Sequence, residues 1–282
     1  MIVSGLYTYP LKSGRGIALQ SSPFDNYGLA GDRRLLLVSP DGEFITQREM
    51  PELATISVLS VSDGYRLTVE GMGQIHVARP DGERRKAVKV WGADIDAAAL
   101  PEEASSTLSE FFGRPMELVF FDDRSNRSAS SEWTEEDTPV SFSDGFPILV
   151  TTTASLSALN ADMAAHGEGE VGMERFRPNI VVDCDEPWAE DRWAAIEIAG
   201  TRFDLVKPCS RCIMTTQDQT TGSREGPSPI PAMGRIRMSA DRRVPGPLFG
   251  WNAAARGTGI LNIGDPVTVI EERPEGWALK RR

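Results

Sequence analysis

The chain has 282 residues, 40% of them hydrophobic and 25% charged. That length suits two ordinary domains, and the balance excludes intrinsic disorder and fibrous architecture. No run approaches the ~18 uninterrupted apolar residues of a transmembrane helix, so no membrane span is expected. With 30 basic and 41 acidic residues the net charge is −11, which argues against a nucleic-acid or anionic-membrane partner, since both need a positive surface field. It does not exclude a local basic pocket.

The first residues, MIVSGLYTYPLKSGRG, lack a basic segment followed by an apolar one, so no secretory signal is expected and the cytoplasm is the expected compartment. The cysteines are Cys184, Cys209 and Cys212, and the only histidines are His76 and His166. An odd cysteine number does not suit a disulfide framework. An iron–sulfur cluster needs four thiolates, or two thiolates with two histidines, and the histidines here are isolated, so no such cluster is expected in this chain.

In chain order, Leu35–Val38 and Glu43–Thr46 flank Pro40-Asp41-Gly42, a hairpin signal, and Tyr65–Glu70 and Gln74–Ala78 flank Gly71-Met72-Gly73. Such punctuation predicts a sandwich or barrel rather than alternating βαβ units. Leu108, Phe111 and Phe112 at helical spacing predict a helix over 106–112, capped by Gly113. The acidic stretch 132–137 reads as an exposed loop, and 146–150 as a strand. A second helix is predicted over 153–165, with Leu156, Leu159 and Met163 on one face and Gly167 ending it. Strands follow at 180–183, 195–198 and 202–206, then a Gly/Pro/Ser-rich loop over 220–231, a strand over 265–270 and a polar tail. The fold class is therefore mainly β, as two interlocked barrel-like domains with a few helices: 1–120, 121–272, and a tail 273–282.

Cys209-Ser210-Arg211-Cys212 is the densest chemical signal. It reads as buried small hydrophobes, a zinc half-site lacking its second pair, a thioredoxin-like dithiol whose following residues Ile213–Thr216 look β-prone rather than helical, or a single thiolate ligand for a soft redox metal. Tyr9-Pro10-Leu11 followed by Lys12-Ser13-Gly14 offers an ammonium, a hydroxyl and a glycine-freed backbone suited to phosphate, without the spacing of a Walker A loop. Arg33 and Arg175-Phe176-Arg177-Pro178-Asn179 add guanidinium forks and an amide. Converging near a cysteine, these groups would make a site for an anionic cofactor.

The chain resembles the MOSC family, named for the C-terminal domain of molybdenum cofactor sulfurase, with its companion N-terminal β-barrel domain. Within it, the likeness is to the amidoxime-reducing components and their bacterial relatives. The matching segments, in family order, are Tyr9-Pro10-Leu11-Lys12-Ser13, Gly31-Asp32-Arg33, Phe176-Arg177-Pro178-Asn179, Cys209–Thr216, Leu248-Phe249-Gly250 and Ile263–Val267. The resemblance implies a molybdenum cofactor (Mo-molybdopterin) with Cys212 as the metal's thiolate ligand and catalytic residue. It implies that Lys12, Ser13, Arg33, Arg177 and Asn179 hold the pyranopterin and its phosphate. Cys209, Ser210 and Arg211 would line the same pocket, with Asn252 at another phosphate contact, Asp144-Gly145-Phe146 at the cofactor edge, and Cys184 purely structural.

The implied reaction is two-electron reduction of a small N-oxygenated substrate, a hydroxylamine or amidoxime, to the amine or amidine plus water. Electrons would come from a ferredoxin- or cytochrome b5-type donor with its reductase. The alternatives are a cofactor carrier or sulfur-transfer module without turnover, and a non-catalytic β-barrel. Two departures stand out. Related sequences often read Val-Asp-Pro-Asp-Thr-Gly after the threonine pair, where this chain has Gln217-Asp218-Gln219-Thr220-Thr221-Gly222. Some bacterial relatives append a ferredoxin domain, and none is expected here.

Overall fold

The computed structural model describes residues 1–134 and 137–280. Its main body is an eight-stranded sheet in the spatial order Val267–Glu272, Trp193–Ile198, Thr201–Ser210, Leu248–Ala255, Ile148–Thr152, Ile180–Asp183, Ile2–Thr8, Ile17–Leu19. The sheet curls until its ends meet: Ile2 bridges Pro266, and Val267 N–H donates to the Met1 carbonyl at 3.0 Å. That closure leaves few free edges.

A second sheet joins Leu35–Val38, Glu117–Phe120, Ala93–Ala99 and Arg85–Val90, and a third joins Ser57–Val61, Gly64–Val69 and Gly73–Ala78. The halves interlock through strand exchange. Ile2–Thr8 lies within the large sheet, and Gly259–Asn262 pairs with Ser21–Asp25. The fold is mainly β and barrel-like, as expected from the sequence.

Helix α1 (Glu102–Phe112) starts four residues earlier than predicted and ends at Gly113 in the left-handed conformation, φ 63°. Glu102 and Glu103 supply negative charge to its first turn, where the helix dipole favours it. Leu108 is fully buried, but Phe111 is exposed. Helix α2 (Thr153–Ala165) has the predicted bounds and is capped by the Thr152 hydroxyl, which accepts from Ser155 N–H. It connects two parallel neighbours, Ile148–Thr152 and Ile180–Asp183, so the chain does contain one βαβ unit.

Three further readings change. Residues 43–46 form two isolated bridges, Phe44 to Val38 and Glu43 to Lys89, rather than a strand. Ile213–Thr216 is one 3-10 turn rather than β structure. The Gly/Pro/Ser-rich loop ends at Pro229, because Pro231 fits the first turn of helix α3 (Ile230–Ile236), where a missing N–H costs nothing. Of the acidic stretch, Glu135 and Glu136 lie outside the described residues, as do Arg281 and Arg282 of the tail. The tail is not simply polar. Trp277 stacks edge-on against buried Trp251 at 5.8 Å.

Candidate functional site

One pocket opens between the halves, and every residue singled out from the sequence lines it: Lys12, Ser13, Arg33, Asp144, Gly145, Phe146, Arg177, Asn179, Cys209, Ser210, Arg211, Cys212 and Asn252. Strand ends and tight turns bring them there. The Lys12-Ser13-Gly14 turn follows the first strand, and its Gly14 N–H donates to Leu11 O at 2.8 Å. A Cβ on Gly14 would meet Leu11 Cβ at 2.9 Å and two carbonyl oxygens just beyond 3 Å, so the turn accepts only glycine there.

Ser13, Arg33 and Arg177 all have positive φ, at 65°, 47° and 56°. Side chains other than glycine's rarely tolerate that region, and such strain gathers at functional sites. The surrounding hydrogen bonds over-determine these positions. Ser13 O accepts from Gln47 Nε2 at 2.7 Å. Arg33 reaches Asp32, Asn179 Oδ1 at 3.0 Å and Arg177 O. Arg177 Nη1 donates to Gly14 O and to Gln219 Oε1. The Arg33 and Arg177 guanidinium groups both lie over the Tyr9 ring, 4.4 and 4.3 Å from its centre. The ring's π electrons thus attract two neighbouring like charges that repel each other.

Lys12 is buried and donates to Phe142 O at 2.8 Å and Asp144 Oδ1 at 2.6 Å. Burial pushes its ammonium below the ordinary lysine range despite the Asp144 charge. For Asp144, whose side chain is 72% exposed, the desolvation its neighbours impose acts to raise the carboxyl, but Lys12, the Trp91 indole N–H and Arg48 outweigh it and hold it well below the usual carboxylate range. Burial likewise lowers Arg33, and Asp32 more than compensates. Arg177, buried and beside Arg33, is pushed down to about 10.

A group depressed in the folded state contributes stability above its unfolded value, and loses it as pH falls through the folded value. The stability difference between wild type and Asp144→Asn is therefore expected to stay constant from neutral pH down to about pH 4 and to shrink only below it. Urea melts at each pH measure it. A difference that faded between pH 7 and 5 would contradict this assignment.

Cys212 ends the approach of strand Thr201–Ser210 and caps the 3-10 turn behind it. Thr215, 1% exposed, donates through both N–H and Oγ1 to Cys212 O at 3.1 and 3.0 Å. This explains a threonine three residues after the cysteine: it closes the turn that presents the thiol. Cys212 is exposed, whereas Cys209 is half-buried. Each sulfur accepts from a guanidinium, Cys209 from Arg211 Nη1 at 2.9 Å and Cys212 from Arg48 Nη2 at 3.4 Å. The buried Arg211 Nε has no partner among the described residues.

Asn179 is committed within the protein, accepting from Leu149 N–H and Arg33 and donating to Tyr7 O. Asn252 donates to Lys207 O, and Ser210 Oγ to Pro245 O. Gly250, φ 76°, would place a Cβ 2.8 Å from Val150 O, which fixes the glycine of Leu248-Phe249-Gly250. Phe249 of the same segment stacks on pocket residue Phe176 at 3.8 Å. Cys184, by contrast, is buried in the core of the large sheet, away from the pocket.

The sequence missed Arg48, Thr46, Ser143, Leu149 and Met214 in the lining. Arg48 lies in a polar run with no motif of its own, and only its stacking over Trp91, at 4.9 Å, aims it at Cys212.

The MOSC domain profile matches residues 137–268, and the MOSC N-terminal beta barrel domain profile matches residues 1–115. The chain belongs to the MOSC family. Mitochondrial amidoxime-reducing component 1 of Xenopus laevis is 29% identical over 94% of this MOSC chain and 81% of its own length. Mitochondrial amidoxime reducing component 2 of Bos taurus is also 29% identical, over 94% and 82%. Among solved structures, the YUAD protein from Bacillus subtilis covers 94% of the chain at 11% identity, with a TM-score of 0.41. No helix among the described residues is long and apolar enough to cross a membrane.

Proposed function

We propose that this MOSC chain binds a molybdenum cofactor in the pocket and reduces N-hydroxylated compounds, hydroxylamines or amidoximes, by two electrons with loss of water. The observation that carries the reading is the convergence of three cations, Lys12, Arg33 and Arg177, the last two on strained backbone, beside an accessible thiol, Cys212, in a chain of net charge −11. The donor set fits the group. A pterin phosphate needs a desolvated cationic cradle, and a soft metal needs a thiolate. Arg211 Nε supplies a buried donor still without a partner. Among the described residues no three His, Cys, Asp or Glu side chains gather to hold an ion, so a metal on Cys212 would take its remaining ligands from outside the polypeptide.

When bound, the cofactor supplies the oxygen-acceptor and two-electron chemistry. Lys12, Ser13, Arg33 and Arg177 bind and orient its anionic end. Asn179 fixes Arg33, and Cys209, Ser210, Asn252 and the Asp144-Gly145-Phe146 edge shape the walls. Cys212 is the metal ligand, with Arg48 and Arg211 tuning the charge around the two sulfurs. Electrons would arrive from a separate ferredoxin- or cytochrome b5-type donor with its reductase, in line with relatives named as components.

The test is protein purified from a cofactor-producing host, assayed for molybdenum, pterin and reduction of an amidoxime by a chemical electron donor. Near-stoichiometric molybdenum with turnover is expected. Bound cofactor that transfers to an apo-enzyme without any turnover would make the protein a carrier instead.

A further inference from the structure

Gln217 and Gln219 lie in the loop after the Thr215-Thr216 pair, and neither is a surface residue. Gln217 is 0% exposed and Gln219 7%. A buried primary amide costs stability unless its donors and acceptor find partners, and those of Gln219 find them across the molecule. Gln219 pairs reciprocally with Gln47: Gln47 Nε2 donates to Gln219 Oε1 at 3.4 Å, and Gln219 Nε2 donates to Gln47 Oε1 at 3.3 Å.

Each amide then holds one strained pocket residue. Gln47 Nε2 also donates to Ser13 O at 2.7 Å, and Gln219 Oε1 also accepts from Arg177 Nη1 at 2.7 Å. The strap carrying Gln219 is pinned on both sides of it. Gln217 Nε2 donates to Pro51 O, and Arg224 donates to the carbonyls of Gln47 and Arg48.

Charge makes this arrangement more than packing. Lys12 is paired with Asp144, and Arg33 with Asp32. Among the described residues, Arg177 donates only to neutral oxygens, Gly14 O and Gln219 Oε1. A carboxylate in the position of Gln219 would still accept from Arg177 and from Gln47 Nε2, but it would give up the donations to Gln47 Oε1 and Gln217 O and would cancel the charge.

We propose that the Gln47–Gln219 amide pair is a positioning clasp that fixes Arg177 against the Lys12-Ser13-Gly14 turn without neutralising it, so that Arg177 keeps its charge for a phosphate-bearing ligand. This rests on the proposed function only in taking the pocket to be an anion site, so it can be tested without molybdenum or turnover.

The full chain, made in a host that cannot synthesise the cofactor, is titrated with inorganic pyrophosphate by calorimetry at low salt, alongside thermal melts. Gln219→Glu is expected to weaken binding at least about tenfold while keeping or raising the melting temperature, because the new carboxylate pairs with Arg177. Gln219→Met, which removes the amide without adding charge, is expected to weaken binding about threefold and to lower the melting temperature.

A merely structural role predicts that Gln219→Glu, too, loses binding only in step with loss of stability, and that parallel in Gln219→Glu would overturn the proposal. So would pyrophosphate affinity unchanged in Gln219→Glu, or no binding by wild type. Should Gln219→Glu fail to fold, Gln47→Glu places the charge one amide further away. It is expected to cost about threefold in affinity, and no loss would overturn the clasp. A wild type that binds pyrophosphate but, made in a cofactor-producing host, reduces nothing would sink the proposed function alone. A wild type that reduces amidoximes while Gln219→Glu binds pyrophosphate normally would sink the clasp alone.

Discussion

Replacing Cys212 with serine is expected to lower amidoxime reduction by at least about a hundredfold while leaving most of the pterin in place. The two effects separate because they depend on different parts of the pocket. The cations Lys12, Arg33 and Arg177 are held by Asp144, Asp32, Tyr9 and Gln219, none of which touches the Cys212 side chain. The anionic end of the ligand should therefore still bind. Serine preserves the turn, because Thr215 bonds the backbone oxygen of residue 212 rather than its side chain. What is lost is the soft, electron-donating sulfur, and oxygen is a poor substitute on a metal that must cycle by two electrons. Molybdenum and pterin content measured beside turnover would show this split. Cys209→Ser is the control: its sulfur is half-buried and already accepts from Arg211 at 2.9 Å, so a loss nearer about tenfold is expected. If Cys209→Ser abolished turnover and Cys212→Ser did not, the ligand assignment would have to be reversed.

The mainly β fold class was legible in the sequence, and so were many of the residues that line the pocket. Site residues sit in short segments whose chemistry is local: a glycine that only fits one turn, a threonine that closes the Cys212 turn, two arginines flanking aromatic or proline residues. Strands over hairpins with strong turn punctuation, such as 64–69 and 73–78, were legible for the same reason. Elsewhere, tertiary pairing overrode local preference. Ala93–Ala99 and the alanine-rich end of Leu248–Ala255 have little intrinsic strand tendency and are strands because neighbours on both sides bond them. The β-branched run after Cys212 has the opposite history: Thr215 and Thr216 bond back to the carbonyls of Cys212 and Ile213, which winds a strand-like composition into a helical turn. Arg48 shows the remaining gap. Nothing near it in sequence predicts a pocket residue, and its position depends on Trp91, more than 40 residues away and itself held in a left-handed turn at φ 52°.

The second large effect is expected at Tyr9, a residue that never reaches the pocket surface. Tyr9 is 3% exposed, its N–H donates to Asp32 at 2.8 Å and its hydroxyl to Pro178 O at 3.1 Å. Burial pushes the hydroxyl well above the ordinary tyrosine range, against the pull of Arg177 and Arg33, so it stays a neutral donor at every physiological pH. Tyr9→Leu removes the aromatic ring that both guanidinium groups lie over and leaves two neighbouring cations against aliphatic carbon. The lost packing and the lost cation–π attraction together are expected to cost about 2–4 kcal/mol in a urea melt. Tyr9→Phe keeps the ring and gives up one hydrogen bond, so about 1 kcal/mol is expected. The electrostatic part of the Tyr9→Leu defect should be recoverable. An anion placed near the two arginines relieves the same repulsion the ring relieved, so millimolar phosphate should stabilise Tyr9→Leu by more than it stabilises wild type or Tyr9→Phe. Equal stabilisation of all three would mean that Tyr9 acts through packing alone and that Arg33 and Arg177 do not share one anion.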